Sequence, residues 1–156
     1  MRISIPSLVL SVILLFLSLI VLPIYFVSII NYRDDLNTVQ TASRNFIDRA
    51  IDTKEITEDM VADLNLQLAS CNSTFTYTVS KEVKVTNPKG DGSGEVVTTW
   101  IYTDVNDGLV GTTFASGDFV TITVRQVGIS VFQRLSSGFL GTQYHTRECN
   151  LSGMVR

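Results

Sequence analysis

Between Leu8 and Ile30 the chain reads LVLSVILLFLSLIVLPIYFVSII, without one charged side chain, and Arg33-Asp34-Asp35 closes the run. An α-helix rises about 1.5 Å per residue, so the uncharged stretch from Ile3 to Ile30 spans roughly 42 Å, more than the ~30 Å hydrocarbon core of a bilayer. A cleaved export signal has a shorter apolar core, about 7–15 residues, followed by a small-x-small site. Asn31, Tyr32 and Arg33 offer no such site. Length therefore favours a retained transmembrane anchor, with 1–31 as its bounds. The α-amino group and Arg2 on one flank, against Arg33, Asp34 and Asp35 on the other, place the N-terminus in the cytoplasm and the body outside. Pro23, inside the run, removes a backbone hydrogen bond and predicts a kink or a loosened turn.

Past the anchor the apolar residues keep a helical step. Leu36, Val39, Ser43, Phe46 and Ala50 form one stripe, and Ile29 and Tyr32 extend it backwards, so a single long helix is expected to leave the membrane unbroken. It should end near Asp52 or Thr53. A second, shorter helix, capped near Thr57, carries Val61, Leu64 and Leu68 on one face. These two pieces make a helical segment over 32–70.

From Phe75 the period becomes two. Phe75, Tyr77, Val79, Val83 and Val85 alternate with Thr76, Thr78, Ser80, Glu82 and Lys84, the pattern of a half-buried strand. The turn-rich NPKGDGSG (Asn87 to Gly94) joins it to EVVTTWIYT, and DVNDG supplies the next break. Val120, Ile122 and Val124 mark another strand, with an extension towards Ser130 and a bulge or bend at Gly128. The expected fold class is α+β: an N-terminal transmembrane helix continuing into a long amphipathic helix, a short second helix, and a small antiparallel β-sheet of three or four strands over 71–156, outside the cytoplasm.

Chemistry-bearing motifs are sparse. The net charge of -3 and the absence of a Lys/Arg stripe argue against nucleic acid as a partner. His145 is the only histidine, which rules out two-histidine metal sites, and its spacing to Cys149 alone does not make a catalytic dyad. DVNDG resembles the start of a calcium loop but puts Gly108 where a third ligand belongs, so it reads as a turn. The glycosylation-type triplets at Asn72 and Asn150 are too short to carry an argument. No Walker loop, GxSxG elbow, HExxH or paired-cysteine zinc pattern occurs, so neither an enzyme nor a cofactor or metal is expected. The two cysteines, Cys71 and Cys149, lie on the oxidising side under this topology, which predicts a disulfide closing a loop of about 79 residues.

The short basic start, the apolar helix with its RDDLNTVQTASRNFIDRAID extension, and the closing GDFVTITVRQVGISVFQRLSSGFLG (Gly117 to Gly141) resemble pilin-like proteins. More narrowly, the chain looks like the TadE-like minor pilins and related proteins of bacterial tight-adherence and conjugation systems. The resemblance implies insertion in the cytoplasmic membrane, cleavage by a prepilin peptidase, and a role in building or initiating a surface filament. Its implied partners are membrane lipid and other pilin-like subunits or secretion-platform proteins, in a homo- or hetero-oligomer. Pilin precursors carry a small residue, usually Gly, before the apolar segment and a glutamate a few residues into it; here only Ser4 or Ser7 could serve, and no acidic residue precedes Asp34. That departure suits a minor or anchoring component better than a major subunit. Ser11 and Ser18, seven apart on one side of the anchor, would let helices approach closely, with Pro23 shaping the same segment. The alternative is a bitopic membrane protein whose external domain is a binding or scaffolding module.

Overall fold

A computed structural model describes residues 5–90, 96–141, 143 and 146–156. Arg2, Ser4, the Gly-rich end of the 87–94 turn and His145 lie outside these residues, and with them the flank charge, the processing position and the Cys149–His145 spacing noted above.

The apolar run is helical throughout. Helix α1 (Ile5–Phe16) passes through a π-helical turn, Leu17–Val21, into α2 (Leu22–Thr53). Pro23 gives the turn its cause. Its ring has no N–H and crowds the carbonyl four residues back, so a regular α-helical ladder cannot be kept. The chain takes up one extra residue per turn instead, and the Leu22 N–H donates to Leu17 O. The expected loosened turn is thus a π segment inside a helix that continues for 48 residues, from Pro6 to Thr53. It is one helix long and apolar enough to cross a membrane, and its most apolar stretch has no residue buried against the rest of the protein.

Lys54 ends α2 in the left-handed region, φ 57°. A short pairing fixes that conformation: Phe114 N–H donates 2.8 Å to Lys54 O, and Ile56 exchanges backbone bonds with Thr112 and Gly111. Helix α3 (Glu58–Ala69) starts after Thr57, which supplies the extended entry but no side-chain cap.

Four antiparallel strands follow: β1 (Thr74–Pro88), β2 (Val96–Asp104), β3 (Phe119–Val127) and β4 (Glu148–Met154), in the order β2-β1-β3-β4. Helix α4 (Val131–Leu140) lies between β3 and β4 in sequence. Gly128, expected as a bulge or bend, is a bend: β3 ends at Val127, short of the expected extension towards Ser130, and Gly128 turns the chain towards α4 with φ +81°. DVNDG is a turn: Asp104 Oδ1 accepts from Asn106 N, and Asn106 Oδ1 accepts from Val79 N, each within about a normal hydrogen-bond length.

The core forms where the helices lie across one face of the sheet. Val39, Ala42, Phe46, Ile47 and Ala50 of α2 and Met60, Leu64 and Leu68 of α3 pack against Val79, Val120, Ile122 and Val124. Ile56, Leu109, Phe114 and Val155 close its ends. Every position of the stripe from Tyr32 to Ala50 at that helical step is buried or half-buried. Gly153 of β4 sits where α2 crosses: a Cβ there would fall on Ile51 Cδ1 and lie 2.8 Å from Ile47 Cγ2, so only glycine lets the strand come this close.

Candidate functional site

Two surfaces stand apart from the shared core: the bare apolar helix and the outer edge of the sheet. Along α1, the π turn and the start of α2, Leu8 to Leu22 expose their side chains on all sides, Val21 alone being half-buried. A helix that is apolar all round must be covered by lipid or by other helices. Ser11 and Ser18 are both exposed here. Ser11 Oγ donates to Ser7 O, 2.9 Å away, so its hydroxyl is satisfied within its own helix and presents little bulk to a neighbour. Ser18 is the second residue of the π turn and lies, by about 100° per residue, within roughly 20° of the Ser11 face. Pro23 is exposed immediately beyond.

The other end of the long helix is tied to the body by groups that the sequence pattern does not show. Asp35 follows the first charges after the apolar run, yet it is buried. Its carboxylate accepts from Asn72 N at 2.8 Å, Asn72 Nδ2 at 3.2 Å and Ser73 N at 2.9 Å, closing the turn between α3 and β1 against α2. Those donors, two backbone N–H groups and one side-chain amide, come from residues 37 and 38 positions away, which no local spacing could have announced. Tyr32 packs on Phe132 of α4, with ring centroids 5.1 Å apart, and the Arg147 guanidinium lies 5.0 Å from its ring centroid on a second approach.

The cysteine bridge expected from the sequence is not formed in this structure; both cysteines are free thiols. Each is half-buried against the core. The Cys71 sulfur is turned towards Gln67 O and Asp35 O, 3.7 and 3.9 Å away. Phe75 lines both the hollow that contains Cys71 and the one that contains Cys149. Burial, and then the Asp35 carboxylate, push the Cys71 thiol above its ordinary pKa; burial alone does so for Cys149. Neither environment makes a nucleophile, because a reactive cysteine needs its thiolate favoured.

At the far edge of the sheet, β2 is exposed along all nine residues. Val97, Thr99 and Ile101 point one way; Val96, Thr98, Trp100 and Tyr102 point the other. Trp100 meets Phe119 edge-on, with 5.2 Å between ring centroids. One hydrogen-bonding side of β2 faces β1, and among the described residues the other has no strand beside it. An open hollow of about 400 Å³ lies beside Cys71 and Phe75 and is lined by Asn65, Asn72 and Ser73 among others. It brings together amides and hydroxyls without a base or an activated nucleophile. Among the described residues no three His, Cys, Asp or Glu side chains converge as metal ligands would.

No family model matches the chain, and neither a curated protein nor a solved structure is significantly similar to it.

Proposed function

We propose that the protein is a non-enzymatic, membrane-anchored pilin-like subunit of a surface filament or secretion apparatus, of the TadE-like kind that its sequence layout resembles. The observation that carries the reading is the undivided helix Pro6–Thr53: one half is apolar and bare, the other half is the spine of the head's core. A module that merely needed tethering could hang from its anchor on a flexible linker, and its orientation would then be free. Here the anchor and the head's spine are one rod, so helices packing side by side through their apolar halves would set the heads at fixed positions. The open β2 edge adds a surface on the head through which neighbouring subunits or platform proteins could engage by strand pairing.

Bulk at the small-residue face tests the packing step. Replacing Ser11 and Ser18 together by Phe leaves membrane insertion intact, since Phe suits the hydrocarbon as well as Ser does or better. Recovery in a sheared surface filament or in the filament-initiating complex should drop by about tenfold, the cost of losing roughly 1.4 kcal/mol of helix contact. Unchanged recovery of the double variant alongside normal insertion would favour the bitopic binding module instead.

A further inference from the structure

Helix α4 turns two polar side chains fully inward, Gln133 and Ser136, 1% and 0% exposed, beside half-buried Phe132 and Leu135, while its first residue, Val131, is 65% exposed on a side shared with Arg134, Ser137 and Gly138. Gln133 is satisfied there: its Oε1 accepts from Gln126 Nε2 at 2.9 Å and from Ser130 N at 2.8 Å, completing a capping box with the Ser130 side chain. The buried polar pair therefore has an internal explanation, and the exposure of Val131 at the start of the helix does not. Val127 and Ile129, leading into the helix, are also more than half exposed. Gly138 lies seven residues beyond Val131, back on the same side at about 100° per residue.

The position of α4 supplies what the outward face lacks. Phe132 stacks on Tyr25 and Tyr32, with centroids 5.6 and 5.1 Å away, and Ser136 Oγ reaches to 3.5 Å from Tyr25 Oη. Tyr25 stands about 28 Å along the helix from Pro6, close to the ~30 Å of a hydrocarbon core. Tyr32 stands two turns further on, just before the first charge at Arg33. Tyrosines at that depth belong to the membrane–water boundary. Exposed Arg134 lies on the same helix, where it can reach phosphate oxygens.

We propose that α4 is an interfacial helix that lies in the headgroup region of the same bilayer that the apolar helix crosses, with Val127, Ile129, Val131 and the Gly138 side turned to lipid. It holds the head at a fixed tilt against the membrane, beyond what a single spanning helix can impose. This inference rests on the reading that Leu8–Ile30 spans the bilayer.

The full chain, with Cys71 and Cys149 replaced by Ser, is reconstituted into phosphatidylcholine/phosphatidylglycerol vesicles. It carries one environment-sensitive fluorophore at a time, on a cysteine at Val131, Gly138, Leu14 or Leu66. Nothing lies within 4 Å of a Cβ built on Gly138, and Leu66 is exposed on α3, so these sites tolerate a label. Lipid carrying a nitroxide near the headgroup should quench Val131 and Gly138 at least about twofold and leave Leu66 unchanged, while a nitroxide deep in the acyl chain quenches Leu14. Quenching at Leu14 with Val131 and Gly138 as unquenched as Leu66 overturns the interfacial helix and leaves the span standing. No quenching at Leu14 removes the span, and the inference with it. Diazirine-bearing phosphatidylcholine, photolysed with the unmodified chain, gives a check that needs no variant: adducts on the peptide holding residues 127–138 support the proposal, and adducts confined to residues 8–30 contradict it.

Discussion

Asp35 occupies a place where a chain leaving a membrane ordinarily offers a solvated carboxylate, yet its oxygens hold the α3–β1 turn through three N–H donors. Removing the carboxylate strands those donors in a closed turn, and a hydrogen bond to a charged group is among the stronger ones. Asp35→Ala should destabilise the head by about 3 kcal/mol, and Asp35→Asn, which keeps one acceptor oxygen, by about half as much. Urea unfolding of the full chain in detergent micelles, followed by the fluorescence of Trp100, measures both. The two thiols make a second, pH-dependent statement. Their folded pKa values are raised, so above the unfolded thiol pKa the folded state holds protons that the unfolded state has lost. The stability they protect is complete below the unfolded value and drains away as pH climbs through the raised folded one. Reduced protein should therefore lose stability as pH rises past the unfolded thiol value of about 8.5, and the Cys71→Ser, Cys149→Ser double variant should show a flatter profile above it.

At the scale of elements, close approach of strand and helix is the most exposed weakness. Gly153→Ala should push β4 off α2, costing about 1–3 kcal/mol, and Ile51→Ala in the same chain should restore part of that loss. Thermal unfolding of the two single variants and the double variant reads the coupling directly. The same elements show what the sequence makes legible. The stripe from Ile29 to Ala50, the α3 face and the alternation at Phe75–Val79 and Val120–Val124 are visible because each buries a regular set of apolar side chains. The bounds near Thr53 and Thr57 follow for the same reason. Helix α4 begins where the expected strand extension stops, at Ser130, and leaves no periodic signal because its fully buried side chains are Gln133 and Ser136, which periodicity in apolar residues does not detect. Strand β4 was hidden because ECNLSGM alternates weakly and contains the glycine that α2 requires. The role of Asp35 was invisible for a different reason: its partners come from a turn brought near only by the finished fold.

For the molecule as a whole, the central claim is that the bare half of the long helix is a packing surface for like helices, with the head carried rigidly at its far end. Ser11 and Ser18 are readable as a small-residue face, and the structure keeps them exposed on one side, about two turns apart. The most direct measurement introduces single cysteines along residues 8–22, in a background lacking Cys71 and Cys149, and expresses them with the whole secretion system. Oxidative crosslinking in the native membrane then reads proximity residue by residue. The account predicts crosslinked dimers that peak at Ser11 and Ser18 and recur at helical intervals of three to four residues. Monomers alone at every position, from protein shown to be inserted, would contradict it.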